Sequence, residues 1–296
     1  MSDLSIQEIV PGVHAVLGGI CNRGLISQGG SVLVVYSGIS VAEAAPLRAA
    51  ARAAQERQKD GALYLFNTHL HSDHVYGNQV FADCPIIAHT GVRNYLVAHG
   101  GGALARWRQN PDTAALVSDV VITPPTLTFQ DQMTLFIGDI EVQLLYLARA
   151  HSPSDSVAWL PQSRTLFTGD LLFNAQVPVW NHGVAEIPPG GSVANWIQAL
   201  EKLEALGVQH AIPGHGPIQT ADALADLRLW FISLHTQVGE ALASGWDRET
   251  TIKRVTQQLQ KLQKLAPRGE EERLPNVIGQ AFDELSIEQS KASYQA

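Results

Sequence analysis

The chain has 296 residues, of which 45% are hydrophobic and 16% charged, and its formal net charge is −8. This balance suits a compact globular protein and excludes disordered and collagen-like chains. The negative charge and the lack of a Lys/Arg-rich run argue against a nucleic-acid binder, because neutralising phosphates requires a concentrated basic face. The composition therefore favours a small-molecule substrate and no nucleic-acid partner.

The N-terminus and the cysteines indicate a cytoplasmic protein. The first residues include Asp3 and Glu8, and no positively charged segment with an apolar run behind it predicts a secretory signal. No stretch reaches the ~18 apolar residues of a membrane-spanning helix, so no membrane partner is expected. Cys21 and Cys84 lie far apart and are predicted to be free thiols. The sequence leaves homo-oligomerisation open.

The first half of the chain alternates predicted strands and helices. Apolar or β-branched runs predict strands at residues 30–36 and 62–66, and helices are predicted at residues 41–58 and 91–99. The second of these strands stops where a polar cluster begins, at Asn67. Glycines and basic residues at positions 100–112 predict an insertion, either an ordinary surface loop or a lid over the site.

The second half is richer in predicted strands and then becomes entirely helical. Turn signals separate short strands at residues 126–129, 133–137, 141–147, 157–160 and 165–168, and a helix follows at residues 193–206. Apolar side chains at helical spacing predict further helices at residues 221–244, about 247–265 and about 275–287. We therefore expect two sheets between helical layers in residues 1–220, with residues 221–296 packed on them as a helical extension.

A short polar cluster carries the clearest chemical signal. His69, His71, Asp73 and His74 place four potential metal ligands within six residues. Imidazole suits zinc and iron, and a carboxylate adds a harder ligand, so the set has the composition of a transition-metal site.

Three later residues repeat the pattern of a metal-capable side chain after an apolar strand: His151, Asp170 and His215. Functional residues of layered α/β proteins are commonly gathered at one edge of the strands. The neighbouring Gly169, Gly214 and Gly216 would let the backbone turn sharply there. We therefore expect the early cluster and these three residues to converge.

In this motif order the chain resembles the metallo-β-lactamase superfamily over about residues 12–220, with its HxHxDH motif, single later His, Gly-Asp and final Gly-His. The resemblance implies an α/β fold, the αββα four-layer sandwich, here with a C-terminal helical extension. It also implies two divalent ions, with zinc expected first and manganese or iron as alternatives. By the same resemblance, His69, His71 and His151 bind the first ion, Asp73, His74 and His215 bind the second, and Asp170 bridges them.

The expected chemistry is metal-assisted hydrolysis. Two divalent ions ~3.5–4 Å apart can share a water whose pKa falls to about 7, which provides a hydroxide nucleophile near neutral pH. No serine or cysteine nucleophile is then required. Asp170, as the bridge, and Asp73, as a ligand that can also shuttle protons, are the predicted catalytic carboxylates.

Several features narrow the substrate. The superfamily's best-known β-lactamases use a Cys ligand where this chain has Asp170, and residues 168–173 look more like the glyoxalase II, lactonase and esterase branches. Between Thr165 and Glu201 there is no Lys or Arg to bind an anionic substrate. The predicted substrate-binding residues, an apolar wall with two polar handles, are Phe173, Trp180, Asn181 and His182. We therefore expect hydrolysis of an ester, lactone or thioester of a small, largely neutral substrate.

Other activities remain open from the sequence. The same site could cleave a β-lactam or a phosphotriester. A persulfide dioxygenase with a single iron shares much of the ligand set, and a nuclease is disfavoured by the negative charge.

Overall fold

The computed structural model of the protein describes residues 5–55, 61–173, 191–259 and 273–295. Two β-sheets form the centre of the molecule. The first has seven strands in the order β1 to β7: Ser5–Val10, Val13–Leu17, Arg23–Gln28, Ser31–Val35, Leu63–Asn67, Ile86–His89 and Leu127–Phe129. The second has five strands in the order β12 to β8; in chain order, β8 to β12 are Gln132–Ile137, Ile140–Ala148, Asp155–Leu160, Thr165–Phe173 and His210–His215.

Each sheet changes from antiparallel to parallel pairing. Strands β1 to β4 pair as antiparallel neighbours, whereas β4, β5, β6 and β7 run parallel. In the second sheet β8 to β11 are antiparallel and β12 is parallel to β11. Parallel neighbours require a long crossover connection, so helices lie between β4 and β5 and between β11 and β12.

Seven α-helices surround the sheets within the described residues. In chain order, α1 to α7 are Val41–Gln55, Ser72–Val75, Thr90–Gln109, Val193–Ala205, Ala221–Ala243, Arg248–Leu259 and Leu274–Gln295. Helices α1 and α3 pack on the first sheet, and α4 and α5 pack on the second. The apolar core between the two sheets includes Ile26, Leu33, Phe66, Phe167 and Ile212. The predicted αββα sandwich with a C-terminal helical extension is thereby confirmed.

The C-terminal helices share a core with the second sheet. Helix α5 buries the expected stripe, including Leu227, Trp230 and Phe231. Trp230 and Phe231 belong to the same apolar cluster as Trp196 of α4. The Glu284 carboxylate of α7 accepts a hydrogen bond from the Val193 amide at the start of α4, at 3.0 Å. The extension is therefore packed on the sandwich, while a domain boundary at residue 220 stays a prediction.

The prediction of an insertion at residues 100–112 is wrong for most of these residues. Helix α3 continues through the glycine triplet to Gln109, with Val92, Leu96, Gly100 and Leu104 buried at four-residue spacing. A Cβ on Gly100 would lie 2.8 Å from an Ile122 methyl carbon, so the glycine allows close packing. Tertiary packing here outweighs the poor helix propensity of glycine, and this segment is part of the outer helical layer.

No helix in the described ranges is both long enough and apolar enough to cross a bilayer.

Candidate metal centre

Four of the predicted ligands follow β5 on one compact loop. His69 and His71 lie directly after the strand, and Asp73 and His74 lie in α2. The His74 carbonyl accepts hydrogen bonds from Ser37 Oγ at 3.1 Å and from Asn67 Nδ2 at 3.2 Å. These bonds hold the loop against the end of the first sheet.

The second sheet supplies the other three predicted ligands from three separate places. His151 lies in the turn between β9 and β10, Asp170 lies inside β11, and His215 ends β12. Strand β11 is longer than predicted, so Asp170 does not follow the strand but lies where its pairing with β12 is irregular. Gly169 has a φ of +58°, and a Cβ on Gly214 would lie 1.9 Å from Asp170 Oδ1. Gly214 therefore leaves room for the Asp170 carboxylate, and Gly169 allows the left-handed backbone that precedes it.

The structure brings all seven side chains together in two groups that share Asp170. In each group, every residue offers one ligand atom, and these atoms lie within 4.8 Å of one another. The first group is His69, His71, His151 and Asp170, and the second is Asp73, His74, Asp170 and His215. Each group takes two ligands from each sheet.

The donor atoms are suited to holding metal ions. His74 Nε2 and Asp170 Oδ1 are buried and have no hydrogen-bond partner, although they lie only 3.3 Å apart. Buried polar atoms without a partner are costly, so two such atoms directed into one space need a further group. Imidazole nitrogens and carboxylate oxygens in this number fit divalent transition-metal ions.

Opposite charges inside the site strongly shift the ionisation of its groups. Burial alone would raise the pKa of the Asp170 carboxyl, but His74 and His215 outweigh burial and hold the pKa well below its usual range. Burial would lower the pKa of His215, but Asp170 and Asp73 raise it to about 11. Burial lowers the pKa of His69 well below its usual value. Opposite charges thus favour the ionised form of Asp170 and the protonated form of His215, whereas burial favours the neutral form of His69.

A buried aspartate that the sequence analysis missed supports His151. The Asp155 carboxylate accepts hydrogen bonds from the amides of Ala150 at 3.0 Å and Ser152 at 2.8 Å, and from Ser152 Oγ at 2.5 Å. Burial raises the pKa of Asp155 to about 7 despite these bonds. The spacing Ser152-x-x-Asp155 is the one signal in the sequence that could have indicated this turn.

The loop between β2 and β3 supports His215 across the molecule. His215 Nδ1 lies 3.0 Å from the Ile20 carbonyl, to which it donates. Asn22 Nδ2 donates to the carbonyls of Pro213 at 2.9 Å and Gly216 at 2.7 Å. No local pattern predicts these contacts, because they join residues that are almost two hundred positions apart.

The predicted substrate-binding residues are only partly described. Phe173 is the last residue of β11 and follows Asp170 along the strand. Trp180, Asn181 and His182 lie outside the described residues. The apolar wall therefore stays a prediction.

Comparison with known families gives one match that covers most of the chain. The model of the metallo-beta-lactamase superfamily matches residues 16–215, a range that includes all seven predicted ligands. A metallo-beta-lactamase type 2 from Bacteroides fragilis is 28% identical over 110 residues, which are 36% of this chain and 42% of that protein. The chain thus matches less than half of the length of this relative.

Solved structures show the same fold at low sequence identity. The inverting sec-alkylsulfatase Pisa1 from Pseudomonas sp. is 17% identical with a TM-score of 0.67, and the match covers 94% of this chain and 50% of that one. The DIM-1 metallo-beta-lactamase is 20% identical with a TM-score of 0.56, and the match covers 75% of this chain and 94% of that one. The first match covers more of the chain than the second, but it spans only half of the alkylsulfatase.

Proposed function

The chain belongs to the metallo-β-lactamase superfamily of metal-dependent hydrolases, and from this premise we propose that it uses two divalent ions to cleave an ester, lactone or thioester. The substrate is small and largely neutral. Zinc is the first choice of metal, because the donor set of imidazoles and carboxylates suits it. Manganese and iron are the alternatives.

The proposal rests mainly on Asp170, which belongs to both ligand groups. Its Oδ2 lies 3.4 Å from His151 Nε2 and 3.4 Å from His215 Nε2, which belong to different groups. Its Oδ1 lies 3.3 Å from His74 Nε2. A carboxylate in this position can contribute to two neighbouring ions at once, which supports a dinuclear site.

The two ions would activate a water molecule for attack and polarise the scissile carbonyl. The chain's own residues orient the reacting groups and handle protons. Asp170 is 4% exposed, whereas Asp73 and His215 are each 17% exposed. We therefore assign the buried carboxylate to the shared ligand position and Asp73, at the accessible side, to proton transfer during turnover.

The surroundings of the site support a neutral, apolar substrate. No Lys or Arg occurs between Thr165 and Glu201, so this stretch offers no cation to an anionic group. Ile20, whose carbonyl accepts the hydrogen bond from His215, is 45% exposed. An exposed apolar residue is thus bonded to His215 through its backbone, and Phe173, Trp180, Asn181 and His182 are proposed to form the apolar wall.

A β-lactam is the second candidate substrate, because the curated relative described above is a metallo-beta-lactamase. An alkyl sulfate is the third, because the match with the alkylsulfatase covers 94% of this chain. Phosphotriester cleavage, nuclease activity and persulfide oxidation at a single iron are the remaining alternatives.

The proposal is tested by assaying zinc-, manganese- and iron-loaded protein against aryl esters, lactones, thioesters, phosphotriesters, β-lactams and sec-alkyl sulfates. We expect the highest kcat/KM with a carboxylic ester, lactone or thioester. The Trp180→Ala chain should lose more kcat/KM with bulky substrates than with small ones. A persulfide assay with an oxygen electrode and a nuclease assay accompany the panel. Oxygen consumption with iron-loaded protein and no hydrolysis would replace the proposal with the dioxygenase.

A further inference from the structure

Tyr36 has two costly features for a tyrosine. It directly follows β4 with a φ of +67°, in the left-handed region that bulky side chains rarely adopt. Its side chain is fully buried, and its hydroxyl has no hydrogen-bond partner. Strain of this kind persists only where the surroundings require it, so the position of the ring calls for an explanation.

The ring of Tyr36 packs edge-to-face against His74. The ring centroids lie 4.8 Å apart and the planes meet at 69°. This is a favourable geometry for aromatic pairs. The hydroxyl end lies beside the strand that leads into Asp170, because a Cβ on Gly169 would come within 3.4 Å of Tyr36 Oη. One side chain therefore contacts His74 and also lies next to Gly169, the residue that precedes Asp170.

His74 lacks the support that two other ligands have. Histidines that bind metals are usually oriented by a hydrogen bond on the ring nitrogen that does not face the metal. His69 Nδ1 lies 3.0 Å from Thr68 Oγ1, and His215 Nδ1 lies 3.0 Å from the Ile20 carbonyl. His74 Nδ1 is buried and has no hydrogen-bond partner. Packing must therefore fix the orientation of the His74 ring.

We propose that Tyr36 is a positioning residue that orients His74, and that its ring is required for tight binding of the ion held by the second group. That group is Asp73, His74, Asp170 and His215. The inference rests on the proposed dinuclear site. It assigns the effect to the ring, since the ring makes the contact with His74.

Three variants separate these contributions. Tyr36→Leu removes the ring but keeps an apolar side chain under the same backbone strain, and Tyr36→Phe removes only the hydroxyl. Phe66→Leu is the matched control, because Phe66 is a fully buried aromatic residue of the same core cluster. Zinc content after equilibrium dialysis, the absorption spectrum during Co(II) titration, and Tm are measured for each chain and for wild type.

We expect Tyr36→Leu to bind the second ion about 10-fold to 100-fold more weakly, the range found when a residue supporting a ligand is removed, with little change for the first ion. Tyr36→Phe should bind both ions like wild type. Its Tm should stay close to that of wild type, because the ring and its packing are kept. Phe66→Leu should lower Tm while leaving both affinities and the Co(II) spectrum unchanged.

The results distinguish the role of Tyr36 from the proposed dinuclear site on which it rests. A wild-type chain that binds one ion overturns the dinuclear site and this inference together. A Tyr36→Leu chain that holds both ions as tightly as wild type overturns the inference alone, as does parallel loss of ions and Tm in Tyr36→Leu and Phe66→Leu. If Tyr36→Leu does not fold, Tyr36→Phe still decides, because loss of the second ion from that chain contradicts a role for the ring.

Discussion

The two sheets contribute to the metal centre in different ways. The first supplies His69, His71, Asp73 and His74 from one loop after β5, so local chain geometry determines most of their arrangement. The second supplies His151, Asp170 and His215 from three places that meet because β9 to β12 are neighbours. Each ligand group takes two residues from each sheet. A local motif thus gives half of each group, whereas the other half depends on tertiary structure.

The largest effect should follow from removing the ligand that both groups share. In Asp170→Ala each group loses one donor, and the fold should stay intact because no apolar packing is removed. Changes in residues that merely support a ligand lower activity by about 10-fold to 100-fold, so we expect kcat/KM to fall by at least about 100-fold. Steady-state kinetics and circular dichroism measure the two effects. Near-normal turnover would remove Asp170 from the site.

Binding of the second ion should weaken at low pH. Asp73 and Asp170 hold the pKa of His74 well above its usual value, and that of His215 is about 11, so an ion that binds this group has to displace protons. Each displaced proton weakens apparent binding about tenfold per pH unit as pH falls. The first ion should depend less on pH, because the pKa of His69 is lowered.

Calorimetric titration between pH 6 and pH 8 in buffers of different ionisation enthalpy would measure this proton release. Equal proton release for both ions would contradict the difference between the groups. In the metal-free protein, the stability that a protonated His215 contributes should be complete below a pH of about 6.5 and lost as pH rises through about 11.

Residues that support the ligands of the second sheet should contribute more to stability and metal binding than residues that support the ligand loop of the first sheet. Asp155→Ala leaves two buried amides and Ser152 Oγ without their acceptor. We expect a loss of about 2–4 kcal/mol in the free energy of unfolding and about 10-fold to 100-fold weaker binding of the first ion. Thr68→Val, which removes the hydroxyl beside His69, is the matched change in the first loop and should cost less than about 1.5 kcal/mol. Denaturant unfolding and metal titration measure both variants. A larger loss in Thr68→Val than in Asp155→Ala would contradict the prediction.

The C-terminal extension should have the smallest effect. Glu284→Gln weakens the bond to the Val193 amide at 3.0 Å and should lower the free energy of unfolding by about 0.5–1.5 kcal/mol. Metal content should not change, because α7 supplies no ligand. A lower metal content in this variant, measured by mass spectrometry, would show that the centre depends on the extension.

The difference between the sheets also explains what the sequence could predict. The ligand types and most elements follow from local patterns, since side-chain spacing and turn residues are properties of short segments. The bonds from Asn22 to Pro213 and from Ile20 to His215 join remote positions, so no local pattern indicates them. Local patterns do not predict the helix through Gly100 for the same reason. Glycine by itself disfavours a helix, and the packing of Ile122 against Gly100 joins positions that are far apart in the sequence.

Two ions that share Asp170 should be magnetically coupled, and electron paramagnetic resonance of the manganese-loaded protein would detect this coupling. Metal content by mass spectrometry is measured on the same sample. We predict two ions per chain and a spectrum of two magnetically coupled ions, with the coupling lost in Asp170→Ala. One ion per chain after saturating reconstitution, or two ions without coupling in the wild-type protein, would rule out a shared Asp170.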